Sequence, residues 1–85
     1  MHTFHLVGHY NNKTYSVKPD VPNMYNVKIN MHSYYQMRYA AQYMFEHSTV
    51  PDNSKFNHRF DYIEVRSENG VVFADIGPYG TYRYL

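Results

Sequence analysis

Residues 33–47, SYYQMRYAAQYMFEH, carry the clearest local signal in the chain. Ser33 and Gln36 match a capping box: the serine hydroxyl accepts from the amide three residues later, and the glutamine reaches back to the cap amide. We therefore predict a helix over 34–47. It ends before Pro51, which disfavours helical geometry in the residue that precedes it.

The predicted helix has an apolar side and a tyrosine-rich side. A helical wheel gives the apolar, core-facing stripe as Tyr34, Met37, Ala40, Ala41, Met44, Phe45 and Ser48. The opposite side, here called the tyrosine face, consists of Tyr35, Arg38, Tyr39, Gln42, Tyr43 and Glu46. Its tyrosines offer a large, rigid contact area with hydrogen-bonding tips, which favours a protein-binding surface. Three alternatives stay open: loops cover this side, the wheel is rotated and the tyrosines line the core, or the rings stack on bases.

On both sides of the helix, apolar and polar residues alternate as they do in β-strands. The predicted strands are 3–10, 13–18, 24–30, 59–66, 71–76 and 81–85. Asn11-Asn12 suits a two-residue hairpin loop that sets Tyr15 opposite Gly8, so that a ring covers the strand glycine. We predict a single α+β domain over residues 1–85, with one amphipathic helix packed on a mainly antiparallel sheet of about five or six strands.

The second hairpin defines another candidate surface. Asn69-Gly70 suits a type I′ turn, and a two-residue loop would pair Ile63 with Ile76 and Val65 with Ala74 on the core face. The other face then carries Tyr62, Glu64, Arg66, Phe73 and Asp75. Glu64 lies opposite Asp75, where like charges are destabilising, and Arg66 is the expected compensation. This face is interpreted either as an acidic spot that takes a partner's Lys or Arg or a divalent cation, or as a solvated salt-bridge cluster of little energetic value.

Composition excludes several classes of protein. The chain of 85 residues is too short for two ordinary domains, and it has no cysteine for disulfides or cysteine-ligated zinc. No apolar run approaches the roughly 18 residues of a membrane span, and the N-terminal residues do not match a secretory signal, so we expect a cytoplasmic location without membrane association. A net charge of +1 gives little electrostatic attraction for nucleic acid.

No motif indicates catalysis or a cofactor. There is no glycine-rich phosphate loop, and the serines lack a nucleophile-elbow motif. His5 and His9 are separated by about 13 Å in a strand, too far to share one metal ion. The carboxylates Asp61, Glu64 and Asp75 could pair with a histidine, but their spacing does not require it. We therefore expect no enzymatic activity, no cofactor and no metal.

A small, cysteine-free, Tyr- and Asn-rich domain with strands on both sides of one helix resembles the accessory proteins that bacteriophages make to inhibit host machinery. Examples are RNA polymerase inhibitors and anti-restriction or anti-CRISPR proteins. The resemblance is one of size, composition and element order, and it carries over no functional residues. It implies a viral protein that acts in the host cytoplasm as an inhibitor or adaptor. The leading hypothesis is a non-catalytic module that binds a host protein through its two tyrosine-containing surfaces.

Two other hypotheses stay open. A nucleic-acid-binding domain would combine aromatic stacking with the basic residues Lys13, Lys18, Lys28, Arg59, Arg66 and Arg83. Its affinity would fall steeply with salt. A homodimer would instead need one self-complementary patch on the surface.

Overall fold

The structure is a computed structural model, and it describes residues 3–22, 28–52 and 55–84 of the chain. The elements are β1 (Phe4–Tyr10), β2 (Lys13–Val17), α1 (Tyr34–His47), β3 (Tyr62–Ser67), β4 (Val72–Gly77) and β5 (Gly80–Arg83). The strands form one antiparallel sheet in the order β2-β1-β3-β4-β5. Helix α1 packs on β1, β3 and β4. The predicted α+β fold is therefore confirmed.

The hydrophobic core lies between α1 and one face of the sheet. The helix contributes Met37, Ala40 and Ala41, which are fully buried, as the helical wheel predicts. The largest fully buried side chains are Leu6, Met37, Ile63 and Val65. Burying a side chain of this size stabilises the fold by about 1.5–3 kcal/mol. The alanine pair leaves room for the helix backbone to approach the sheet.

Helix α1 begins at the predicted residue, but only half of the capping box forms. The Ser33 hydroxyl accepts from the Gln36 amide at 3.3 Å. The Gln36 side chain does not return to the Ser33 amide. Its Oε1 accepts from the Asn30 amide at 2.8 Å, and the Ser33 amide donates to the Asn30 carbonyl at 3.0 Å. The Gln36 side chain therefore stabilises the turn that precedes the helix, and it does not bond to the cap residue itself.

The first hairpin is confirmed in both loop and register. Asn11 and Asn12 have φ values of 51° and 63°, as both central residues of a type I′ turn require. Gly8 pairs with Tyr15 across β1 and β2. This turn matches the right-handed twist of the two strands, so the sequence signal and the sheet geometry agree.

The turn of the second hairpin differs from the predicted two-residue turn. Gly70 has a φ of 83°, whereas Asn69 does not have a positive φ. The Ser67 carbonyl accepts from the Gly70 amide, and the Ser67 amide donates to the Val71 carbonyl, each at 2.9 Å. The loop therefore has three residues and ends on a glycine in the left-handed region. The type I′ prediction was wrong here.

The longer loop changes the register next to the turn. Arg66 lies opposite Val72, and the pairing then shifts so that Val65 lies opposite Ala74, as predicted. Phe73 is the extra residue of this β-bulge. The bulge restores the predicted register for the rest of the hairpin.

Three of the predicted strands differ in the structure by more than one residue at an end. The strand predicted over 59–66 begins only at Tyr62, and Phe60 precedes it as a buried core residue. Of the strand predicted over 24–30, residues 28–30 are not in a strand, and residues 24–27 lie outside the described residues. The last predicted strand, 81–85, is observed as Gly80–Arg83.

Candidate functional site

The sheet face opposite α1 carries a polar cluster centred on Glu64. Glu64 stands between the core residues Ile63 and Val65 in the sequence, so its side chain points to the face opposite the core. Glu64 is nevertheless only 6% exposed. Glu64 Oε1 is hydrogen-bonded to Nε2 of His9, and it accepts from the Arg66 guanidinium at 2.7 Å. We call the set His9, Tyr62, Glu64, Arg66, Asp75 and Tyr84 the Glu64 cluster. His9 on the neighbouring strand β1 and Arg66 on β3 itself supply the groups that compensate this buried carboxylate.

Asp75 lies directly opposite Glu64 on β4. The hydroxyl of Tyr84 donates to Asp75 Oδ2 at 2.5 Å. Burial raises the pKa of Asp75, the Tyr84 hydrogen bond opposes that rise, and the neighbouring Glu64 charge adds to it. The same hydrogen bond raises the pKa of Tyr84 to about 12. The like-charge opposition predicted from the sequence is therefore present, and Arg66 compensates it as predicted.

Sequence reasoning missed His9 and Tyr84 as members of this cluster. His9 joins it because β1 pairs with β3, which sets His9 opposite Tyr62 with stacked rings 4.3 Å apart. His9 and Glu64 are 55 residues apart in sequence, and no local pattern predicts that pairing. For Tyr84, the available signal was its place at the end of the last strand, on the same side as Tyr82.

A shallow depression of about 320 Å³ opens beside the Glu64 cluster. The turn at 77–80 forms part of its lining. The lining also includes two carboxylates and three tyrosines: Asp61, Asp75, Tyr62, Tyr79 and Tyr82. Tyr79 and Tyr82 are exposed, and Asp61 Oδ2 accepts from the Asn11 amide at 3.0 Å. Burial and the charges of Glu64 and Asp75 raise the pKa of Tyr62. We call this feature the acidic depression.

Phe73 does not lie on this face, contrary to the sequence prediction. Its ring lies 5.1 Å from the ring of Phe4 and 5.8 Å from that of Tyr34 on α1. The β-bulge is the physical reason, because an extra residue reverses the direction of the side chain relative to simple alternation. The other four predicted residues, Tyr62, Glu64, Arg66 and Asp75, share the face.

The tyrosine face lies on the outer side of α1. Tyr35 is 71% exposed and Tyr39 is 48% exposed, so neither the loops nor the core covers them. Tyr43 is partly buried, and its ring stacks on His47 with 4.1 Å between centroids. The Arg38 guanidinium lies 5.5 Å from the centre of the Tyr35 ring. Gln42 and Glu46 are exposed.

The arginines of the nucleic-acid hypothesis lie at separate places. Arg66 is paired with Glu64 in the polar cluster. Arg59 donates to the Glu46 carbonyl at the end of α1. Arg83 lies opposite Ala74, on the other side of β5 from Tyr82. These three side chains do not form a continuous basic surface.

Within residues 3–22, 28–52 and 55–84, no three His, Asp or Glu side chains are placed to hold a metal. Helix α1, the one helix among the described residues, is not long and apolar enough to cross a membrane. Comparison with protein-family models, with curated proteins and with solved structures gave no match.

Proposed function

We propose that this chain is a non-catalytic protein-binding module whose acidic depression receives an arginine or lysine side chain of a partner protein. The observation that carries the proposal is the grouping of Asp61 and Asp75 with three tyrosines around one opening. Carboxylates attract a cation, and tyrosine rings add cation–π contacts of about 0.5–2 kcal/mol. The role of inhibitor or adaptor of a host protein comes from the resemblance to phage accessory proteins.

The Glu64 cluster supports a binding role rather than a catalytic one. Its carboxylates are hydrogen-bonded within the cluster, Glu64 to His9 and Arg66, and Asp75 to Tyr84. A network of this kind holds its side chains in one geometry. It stabilises one wall of the depression, whereas a general base needs access to the proton of a substrate.

A nucleic acid is the weaker alternative. Its phosphates would approach Asp61 and Asp75, which carry the same sign of charge. The one arginine of this face, Arg66, is already paired with Glu64. Binding driven by phosphates requires cations that are free to replace counterions.

Titration with two blocked tripeptides, Gly-Arg-Gly and Gly-citrulline-Gly, tests the proposal by NMR. Citrulline keeps the shape of arginine without its charge. We expect the arginine peptide to shift the amide signals of 61–62, 75 and 77–82 with a millimolar dissociation constant, roughly the affinity of one side chain. Asp61→Asn combined with Tyr82→Ser should weaken binding by about fivefold or more. Asp20→Asn, an exposed charge elsewhere, is the matched control.

Equal shifts of the amide signals with both peptides would contradict the proposal. The absence of any shift at the highest peptide concentration would contradict it as well. Binding of a single-stranded oligonucleotide that disappears as salt rises would favour the nucleic-acid hypothesis instead. A pull-down from a host lysate then identifies the partner. The partner should be retained by the wild type and by Asp20→Asn, and lost with the Asp61→Asn/Tyr82→Ser double variant.

A further inference from the structure

We infer that the centre of the tyrosine face binds a second copy of this chain, with the two α1 helices antiparallel. The contact surface consists of the four exposed residues Tyr35, Tyr39, Gln42 and Glu46. They follow one another at intervals of four, three and four residues, the spacing of a coiled-coil seam. The acidic depression opens on the far face of the sheet, and only the turn at 77–80 lies beside both that depression and Glu46. None of the four seam residues lines the acidic depression, so this inference does not rest on the proposed function.

These four residues are available for contact. Tyr35 is 71% exposed and Tyr39 is 48% exposed. Among the described residues, the side chains of Tyr39, Gln42 and Glu46 form no hydrogen bond or ion pair. The Arg38 guanidinium lies over the Tyr35 ring at 5.5 Å, which limits the rotamers open to that ring before any contact forms. A surface that is partly preorganised loses less entropy on association.

The seam is complementary to itself only in the antiparallel orientation. A two-fold axis at the level of Ala40 and Ala41 sets Tyr35 opposite Glu46 of the second copy and Tyr39 opposite Gln42 of the second copy. Each tyrosine hydroxyl then meets an oxygen that can accept its hydrogen bond. A parallel pair would set Glu46 against Glu46, with like charges in contact. An isologous interface needs this kind of self-complementary patch.

The helix dipole favours the same orientation. Glu46 lies in the last turn of α1, where a negative charge interacts unfavourably with its own helix. The first turn of α1 carries no acidic residue. Antiparallel pairing brings Glu46 of each copy to the first turn of the other helix, where a negative charge is stabilising. Both acidic depressions then face outward from the dimer.

Sedimentation equilibrium over a concentration series tests the inference. One helix face gives an interface at the low end of the size range, so we expect a dissociation constant of about 10–500 µM. Glu46→Lys and Tyr35→Glu should each weaken the dimer by about tenfold or more. Glu68→Lys, the same charge change at an exposed loop position, should leave it unchanged.

The double variant Tyr35→Glu/Glu46→Lys decides the orientation. Its two new opposite charges face each other across an antiparallel dimer, and they are too far apart along one helix to pair. We expect it to regain the dimer that each single variant loses. Circular dichroism of the single variants should show an intact fold, since both positions are exposed.

Three outcomes would overturn the inference. They are a monomeric wild type at millimolar concentration, a dimer that Glu46→Lys does not weaken, and a double variant that stays monomeric. The arginine-peptide titration on the Glu46→Lys variant keeps the two proposals separate. Retained peptide binding by that monomer would support the proposed function whatever the result for the dimer.

Discussion

At the scale of single residues, Gly8 shows how one missing side chain organises the core. A Cβ atom added at Gly8 would lie 2.4 Å from Cε1 of Phe60, and Phe60 is 4% exposed. The ring over the glycine is therefore that of Phe60. Tyr15, which the hairpin register sets opposite Gly8, instead meets the edge of Phe60 with 6.1 Å between ring centroids.

We predict that Gly8→Ala destabilises the fold by about 1–3 kcal/mol, because the buried Phe60 ring must move to admit the methyl group. Urea unfolding measures the change in the free energy of unfolding. Thr14→Ala, at an exposed position of the neighbouring strand, is the control and should change stability little. A Gly8→Ala variant as stable as the wild type would show that the ring does not pack on the glycine.

Asp75 gives a prediction about pH. Its pKa is raised from the ordinary value of 3.8, so the folded state favours the protonated carboxyl. The contribution of this group to stability is therefore fully present below about pH 4 and is lost as the pH rises through the raised pKa. Asp75→Asn stays neutral throughout and can keep the Tyr84 hydrogen bond. We expect the stability of Asp75→Asn relative to the wild type to increase from about pH 4 to pH 7.

Urea unfolding at several pH values checks this expectation. Asp20→Asn, at an exposed carboxylate, serves as the control for the general effect of removing one negative charge. If the difference between Asp75→Asn and the wild type does not change with pH, the carboxyl is not perturbed by its surroundings.

At the scale of elements, α1 depends on its cap as well as on its packing. One side of the helix is buried, and it is centred on Met37, Ala40 and Ala41. The Ser33 hydroxyl satisfies one of the amides that have no partner within the helix, and Gln36 ties the helix start to Asn30. The local signal and the tertiary packing therefore select the same first residue.

We predict that Ser33→Ala lowers the free energy of unfolding by about 1 kcal/mol, the usual cost of losing a serine N-cap. Thermal unfolding followed by circular dichroism measures it. Ser16→Ala, at an exposed strand position, is the matched control. Equal melting temperatures for the two variants would argue that the cap adds nothing to the packing of α1.

At the scale of the whole molecule, two layers leave two separate surfaces. The helix layer exposes the tyrosine face, and the far side of the sheet carries the Glu64 cluster and the acidic depression. The core lies between the exposed tyrosines of α1 and the Glu64 cluster, and the two surfaces come closest at the turn at 77–80, which lies beside both Glu46 and the acidic depression.

We predict that the triple variant Tyr35→Ser/Tyr39→Ser/Tyr43→Ser keeps the fold, with a loss of about 1.5 kcal/mol or less, because these rings lie outside the core. Met37→Ala, on the buried side of the same helix, should cost about 2–5 kcal/mol. Urea unfolding of both variants gives the comparison. Collapse of the triple variant would place the tyrosines in the core after all.

The local features of this protein follow from its amino-acid sequence alone. Ser33 marked the start of the helix, the Asn11-Asn12 pair specified the first hairpin, and the 3.6-residue periodicity separated buried from exposed helix positions. These signals act between neighbours in sequence, where hydrogen bonds and side-chain periodicity depend on a few adjacent residues. The opposition of Glu64 and Asp75 was predicted from a two-residue turn that does not form, and it is observed because the bulge at Phe73 offsets the extra loop residue.

Which distant elements meet depends instead on how the whole chain packs. The pairing of β1 with β3 brought His9 to Glu64, and the bulge at Phe73 moved that ring to the helix side. Neither is encoded in a local pattern: strand pairing depends on how the whole core closes, and the bulge depends on the loop length that the closed sheet accepts. The acidic depression exists for the same reason, since Asp61, Asp75 and Tyr82 come from separate segments of the chain.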